Sequence, residues 1–160
     1  MRLVFWVAFW TFLLDQASKY LVVHMLDLRR LHQIDVLPPF LNLRMAWNTG
    51  VNFGLFGQGS DLTRWVLIAV ALVIAGGVVW WVRRENPGPR GMAAAGLMVG
   101  GALGNVVDRI LYGAVADFLN MSCCGIDNPF AFNVADVAIF LGAFGLIFFT
   151  GGQDARKNAP

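Results

Sequence analysis

The sequence predicts a membrane all-α fold: four transmembrane helices with a small extracytoplasmic β-containing lobe between the first and the second. Three observations carry that reading. The 160-residue chain is 58% hydrophobic and only 14% charged, with a mean hydropathy of +0.62; a soluble domain carries about a quarter charged residues. Four apolar runs, at about 3–25, 65–82, 92–111 and 134–150, approach the roughly 20 residues that cross a bilayer. The longest segment rich in polar residues, 27–64, separates the first two runs. The whole chain, 1–160, is expected to form a single integral-membrane domain.

Each element has its own justification. The first run is interrupted by Asp15-Gln16 and Ser18-Lys19. No small-x-small cleavage site follows it, so it reads as a retained helix and not as a cleaved signal peptide. In 27–64, Pro38-Pro39 forbids continuous helix. The stretch FLNLRMAWNTGVNFGLF then alternates apolar and polar residues between glycines, as a short sheet does. The second helix ends in WWVRR, aromatic rings at the interface with cations just beyond, and ENPGPR is a turn. The third helix carries Gly96, Gly100 and Gly104 at four-residue spacing, which lets another helix approach closely in lipid. The tail GGQDARKNAP reads as frayed. No internal repeat is visible, so the paired halves common in transporters are missing.

An even number of spans places both ends of the chain on one side. That side carries Arg2, Arg83, Arg84, Arg90, Arg156 and Lys157, against Arg29, Arg30, Arg44 and Arg64 opposite. The bias, concentrated in a short connector, favours cytoplasmic termini. A net charge of +2 without a basic run gives no sign of a nucleic-acid partner. The only cysteines, Cys123 and Cys124, are neighbours in a loop expected to face outward. They read as a local loop feature such as a strained vicinal disulfide. With no Cys/His set beside them, neither a metal site nor a thiol nucleophile is expected.

Ionisable groups within or beside membrane spans are functional candidates because they are costly there. In the first helix Asp15, Ser18 and Lys19 share a face, and Asp15 and Lys19 can neutralise each other. In the third, Asn105, Asp108 and Arg109 group in the same way, as an Asp–Arg scaffold or as a substrate-holding set. Asp117 lies just beyond the third helix and Asp136 at the start of the fourth, neither with a cation nearby in sequence. Asn133, one turn before Asp136, can face the same space. Two carboxylates brought together repel, so one keeps its proton. The ionised partner can then draw a proton from water while the other donates to a peptide carbonyl. On the residues alone, each Asp can equally cap a helix end.

Five ordered blocks, DQASK, WNTGVNFGLF, GGALGNVVDR, GAVADF and FNVADVAIF, together resemble the lipoprotein signal peptidases (signal peptidase II) of the bacterial inner membrane. The resemblance runs from the first helix through the fourth. It implies an aspartic endopeptidase that cuts diacylglyceryl-modified prolipoproteins just before the lipidated cysteine, with Asp117 and Asp136 as the catalytic dyad. It implies that Asn48 and Gly50, Asn105, Arg109 and Asn133 line the site or hold substrate, and that Asp15 and Lys19 support it. It implies that the surface lobe embraces the substrate at the outer face. Membrane lipid is an implied partner, a monomer is expected, and no cofactor is implied. Asn52, where the family usually has a small apolar residue, and the paired cysteines of MSCCGIDNPF depart from the pattern. The rival classes are a proton-coupled transporter using the same Asp residues as a relay, and a scaffold in which Asp and Asn are interhelical glue.

Overall fold

The computed structural model describes residues 1–50, 61–123, 125 and 128–157, with side chains to residue 149. The elements in order are α1 (Arg2–Tyr20), a π-helical turn (Leu21–Met25), α2 (Leu28–Leu31), β1 (Gln33–Leu37), β2 (Leu41–Asn48), α3 (Asp61–Glu85), α4 (Gly88–Tyr112), β3 (Val115–Asn120) and α5 (Val134–Lys157). The fold is mostly helical with one three-stranded antiparallel sheet, order β1-β2-β3. Among the described residues, α3 and α4 are long and apolar enough to cross a membrane, with mean hydropathies of 2.4 and 1.3; the apolar part of α5 is shorter, Val134–Phe149.

Helix α4 is the hub: α1, α3 and α5 all pack against it. Its glycines explain why. A Cβ at Gly100 would meet the Ala8 backbone and Thr11 of α1, and one at Gly104 would meet the Asp15 carboxylate. On the other face, a Cβ at Gly101 would meet the Ala135 carbonyl of α5, 2.6 Å away. The small-residue stripe expected to admit one helix therefore admits α1, and an adjoining glycine admits α5.

Several boundaries differ from expectation. α3 starts at Asp61, inside what reads as the surface lobe, and α4 starts at Gly88 with a proline in its first turn, where proline's fixed φ and missing N–H suit a helix. The first run is α-helical only to Tyr20; its last turn is a π-helix. α5 continues to Lys157, through much of the tail expected to fray. The sheet is also more than a lobe between the first two long helices. β3 follows α4 and pairs with β2, placing Ala46 opposite Asp117, Trp47 opposite Ala116 and Asn48 opposite Val115. Gly113, left-handed at φ +77, ends α4 and turns the chain into this strand.

Beyond β3 the chain folds back. Leu119 and Phe132 exchange backbone hydrogen bonds at 2.8 and 3.0 Å, and the Asn120 amide donates to the carbonyls of Asn128 and Phe130. Both ties bring the start of α5 beside β3. Leu28, Leu43, Val22 and Phe118 form an apolar cluster that joins α2, β2 and β3 to the end of the first helix. Asn52 and Cys124, and with Cys124 the expected vicinal disulfide, lie outside the described residues; Cys123 is exposed.

Candidate active site

The site is assembled on the N-terminus of α5, whose first backbone N–H groups have no partner within the helix. Asn133 is the capping residue. Its Oδ1 accepts from the Asp136 N–H at 2.9 Å, and the Asp136 Oδ2 accepts from the Asn133 N–H at 3.1 Å. This is a reciprocal capping arrangement, with Asn and Asp in place of the usual Ser/Thr and Glu. The Ala135 N–H between them donates to Asp15 Oδ1 at 2.9 Å, across from α1. One member of the candidate dyad, Asp136, thus lies in the first turn of α5, while the other, Asp117, comes from β3. The Asp136 carboxylate is fixed by the backbone it caps.

Asn133 also joins the two carboxylates. Its Nδ2 donates to Asp117 Oδ1 at 2.6 Å, while Asn48 Nδ2, from β2, donates to Asp117 Oδ2 at 3.0 Å. Asn105 Nδ2 donates to Asp136 Oδ1 at 2.9 Å. Every oxygen of the pair therefore accepts one hydrogen bond from the protein. Asp117 is 3% exposed, and Asp136 half-buried. Burial, and then the neighbouring charge of Asp136, push the Asp117 carboxyl up to about 6; the Asn48 and Asn133 amides oppose the shift without cancelling it.

Behind the pair lies a fully packed polar cluster. Lys19 Nζ sits 2.8 Å from Asp15 Oδ2 and 2.8 Å from Asp108 Oδ2, and donates to Asn105 Oδ1 at 3.1 Å. Gln16 bridges Asp15 and Asp108 at 3.1 and 3.0 Å. Asp108 Oδ2 also accepts the Ala116 N–H, anchoring β3. The expected Asp108–Arg109 pair is not formed, because consecutive helical residues point in different directions. Asp108 turns inward to Lys19. The Arg109 guanidinium donates to the Asn105 carbonyl at 3.3 Å, feels the charges of Asp117 and Asp136, and keeps a buried Nε without a hydrogen-bond partner among the described residues.

The structure brings together Asp15, Lys19, Asn48, Asn105, Arg109, Asn133, Asp117 and Asp136, and Gly50 donates its N–H to Asn48 Oδ1. It adds Gln16, for which the sequence suggests no role, and Asp108, expected there to pair with Arg109. The signal for Gln16 was its place inside the DQASK block, and that for Asp108 its place one turn from Asn105, but the pairing of Asp108 with Lys19 of another helix left none. Among the described residues no group of His, Cys, Asp and Glu has the geometry of a metal site. The arrangement suits acid–base chemistry: two adjacent carboxylates at a half-open position, one easily protonated near neutrality, with a cation beside them.

The family model described as signal peptidase (SPase) II matches residues 7–150. A lipoprotein signal peptidase of Methylorubrum extorquens (strain PA1) is 47% identical over 151 residues, 94% of this chain and 83% of the relative. One from Methylobacterium sp. (strain 4-46) is 42% identical over 93% of this chain and 88% of the relative. A bacterial membrane enzyme solved by the in meso method at 2.3 Å resolution superposes with a TM-score of 0.79, at 25% identity, covering 98% of this chain and 92% of that one. The five sequence blocks, the family match over most of the chain and the shared membrane-enzyme fold converge: the chain belongs to the signal peptidase II family and is a protease.

Proposed function

We propose that the protein removes the signal peptide from diacylglyceryl-modified prolipoproteins, hydrolysing the peptide bond just before the lipidated cysteine with Asp117 and Asp136 as an aspartic dyad. The observation that carries this reading is Asn133, whose side-chain Nδ2 donates to Asp117 and whose backbone N–H donates to Asp136, while each carboxylate is held by a second asparagine. Asp117, raised to about 6, holds the proton of the pair. Asp136 draws a proton from water, the resulting hydroxide adds to the scissile carbonyl, and Asp117 protonates the carbonyl oxygen. Collapse of the tetrahedral intermediate breaks the C–N bond as one of its two hydroxyls returns its proton to Asp117. The proton taken by Asp136 passes to the cysteine nitrogen, leaving a free amino terminus and a signal-peptide carboxyl. Arg109, with donors to spare, holds a substrate carbonyl or lipid ester.

We infer a single domain with four spans, α1 and α5 joining α3 and α4, both termini cytoplasmic and the sheet on the outer face of the inner membrane. The protein works as a monomer. A diacylglyceryl chain leaves the bilayer only at about 0.8 kcal/mol per methylene, so the cleavage chemistry must sit at the surface where the lipidated cysteine arrives.

A gel-shift cleavage assay tests the reading. Purified protein meets one prolipoprotein with and without diacylglycerol on its cysteine, beside Asp117→Asn and Asp136→Asn. Cleavage of the lipidated form alone, reduced at least about 10³-fold in both variants, is expected. Substantial turnover in either well-folded variant would remove the dyad.

A further inference from the structure

Among the described residues, the main neighbour of helix α3 is α4. This packing leaves a groove along each side of α3. The groove towards α5, of about 510 Å³, is lined by Ile74, Gly77, Val78, Trp81, Leu146 and Ile147 and contains no charge. The groove towards α1, of about 480 Å³, differs. Its lining includes Phe5, Phe9 and Phe12 of α1, Val79 of α3, and Val99 and Leu103 of α4, and at the end where α1 begins it is lined by Met1 and by Arg83, the one arginine of the lining. That end is fixed by packing, since Val4 near the start of α1 and Val82 near the end of α3 belong to one buried cluster. From Met1 to Phe12 the chain rises about 16 Å at 1.5 Å per residue. The groove thus has roughly the depth of one leaflet of a ~30 Å hydrocarbon core.

Arg83 is exposed and forms no ion pair among the described residues. Its neighbour Arg84 points about 100° away around the helix and is engaged with Glu85 at 3.6 Å and the Trp80 ring at 5.6 Å. Only one of the two adjacent cations is therefore available to the groove. An apolar trench one leaflet deep with a cation at its mouth matches a molecule with an acyl chain and a negative head, and basic pockets between membrane helices take such lipids. We propose that the α1/α3/α4 groove binds one anionic phospholipid, its phosphate on the Arg83 guanidinium and an acyl chain along Phe5, Phe9 and Leu103. The charge-free groove on the other side of α3 takes acyl chains without regard to headgroup.

Native mass spectrometry of the full chain, released from detergent with phosphatidylglycerol or phosphatidylcholine of identical acyl chains, tests this. Wild type is expected to retain phosphatidylglycerol about fivefold better, which corresponds to about 1 kcal/mol for one cation at an anionic headgroup. Arg83→Gln should lose that preference while still retaining phosphatidylcholine, Arg83→Lys should recover most of it, and Arg84→Gln should leave it intact. Equal retention of the two lipids by wild type, or equal loss in Arg83→Gln and Arg84→Gln, would overturn the proposal, the second outcome in favour of a diffuse cationic surface. Displacement of phosphatidylglycerol by an equal concentration of inorganic phosphate would also overturn it, in favour of a free-anion site. Lipid retention does not read peptide cleavage, so this result and the peptidase assay stand or fall separately.

Discussion

Asn133 is fully buried and serves two roles with one side chain. Its Oδ1 caps α5 at the Asp136 N–H, and its Nδ2 donates to Asp117 at 2.6 Å. Asn133→Ala is therefore expected to cost about 1–2 kcal/mol as a lost cap and, beyond that, to lower kcat by about 10–100-fold by releasing Asp117. Thermal unfolding and turnover of the folded variant separate the two; a variant that loses stability but keeps kcat would reduce Asn133 to a cap. Lys19 is a different case, because it neutralises two buried carboxylates at once, each at 2.8 Å. Lys19→Met leaves both uncompensated and should destabilise by about 3–5 kcal/mol. Adding Asp15→Asn and Asp108→Asn should restore much of the loss, which chemical denaturation in detergent checks. In the sequence, the Asp15–Lys19 pair was legible from its four-residue spacing. The third member, Asp108, was not, because its partner lies on another helix 89 positions away.

At the scale of elements, the contact between α1 and α4 depends on residues that have no side chain. Gly100 faces the Ala8 backbone so closely that a Cβ there meets the carbonyl oxygen. Backbone cannot yield as a flexible side chain does, so Gly100→Val should push α1 away. Displacing α1 also moves Asp15 from the Ala135 N–H it holds. A loss of several degrees in melting temperature is expected together with a loss of cleavage; unchanged melting would show that the helices can slide to accommodate the side chain. The glycine spacing is plain in the sequence, and close helix approach follows from it. β3 is the element that was hidden. Val115–Asn120 is six residues with a lone Asp, directly after a long helix, and reads as a connector until β2 is present to pair with it. Strands are stabilised by neighbours and not by local propensity, so a strand whose partner strand, β2, lies far upstream leaves little mark on its own sequence.

For the whole molecule, pH is the broadest probe. The folded-state carboxyl of Asp117 is raised from 3.8 to about 6, so the folded protein binds that proton more tightly than the unfolded chain does. The resulting stability is fully present below about pH 4 and is lost as pH rises through about 6. Melting temperatures of wild type relative to Asp117→Asn should therefore fall across this window, and a difference independent of pH would show that Asp117 is not protonated in the folded state. In the same way kcat/KM, which reports the free enzyme, should decline as pH rises through about 6. The amino-acid order by itself determined that the chain is apolar enough for a membrane, where its long helices run, and which polar residues are too costly to be incidental, because composition, periodicity and short-range spacing act locally. Only the tertiary structure decided that Asn133 holds both Asp117 and Asp136, one through its side-chain amide and the other through its backbone N–H, that Lys19 and not Arg109 neutralises Asp108, and that Arg83 and not Arg84 lines the groove between α1 and α3. Those facts depend on which surfaces meet when α1, β3 and α5 close around α4, and hydrogen bonds across elements leave no period in a sequence.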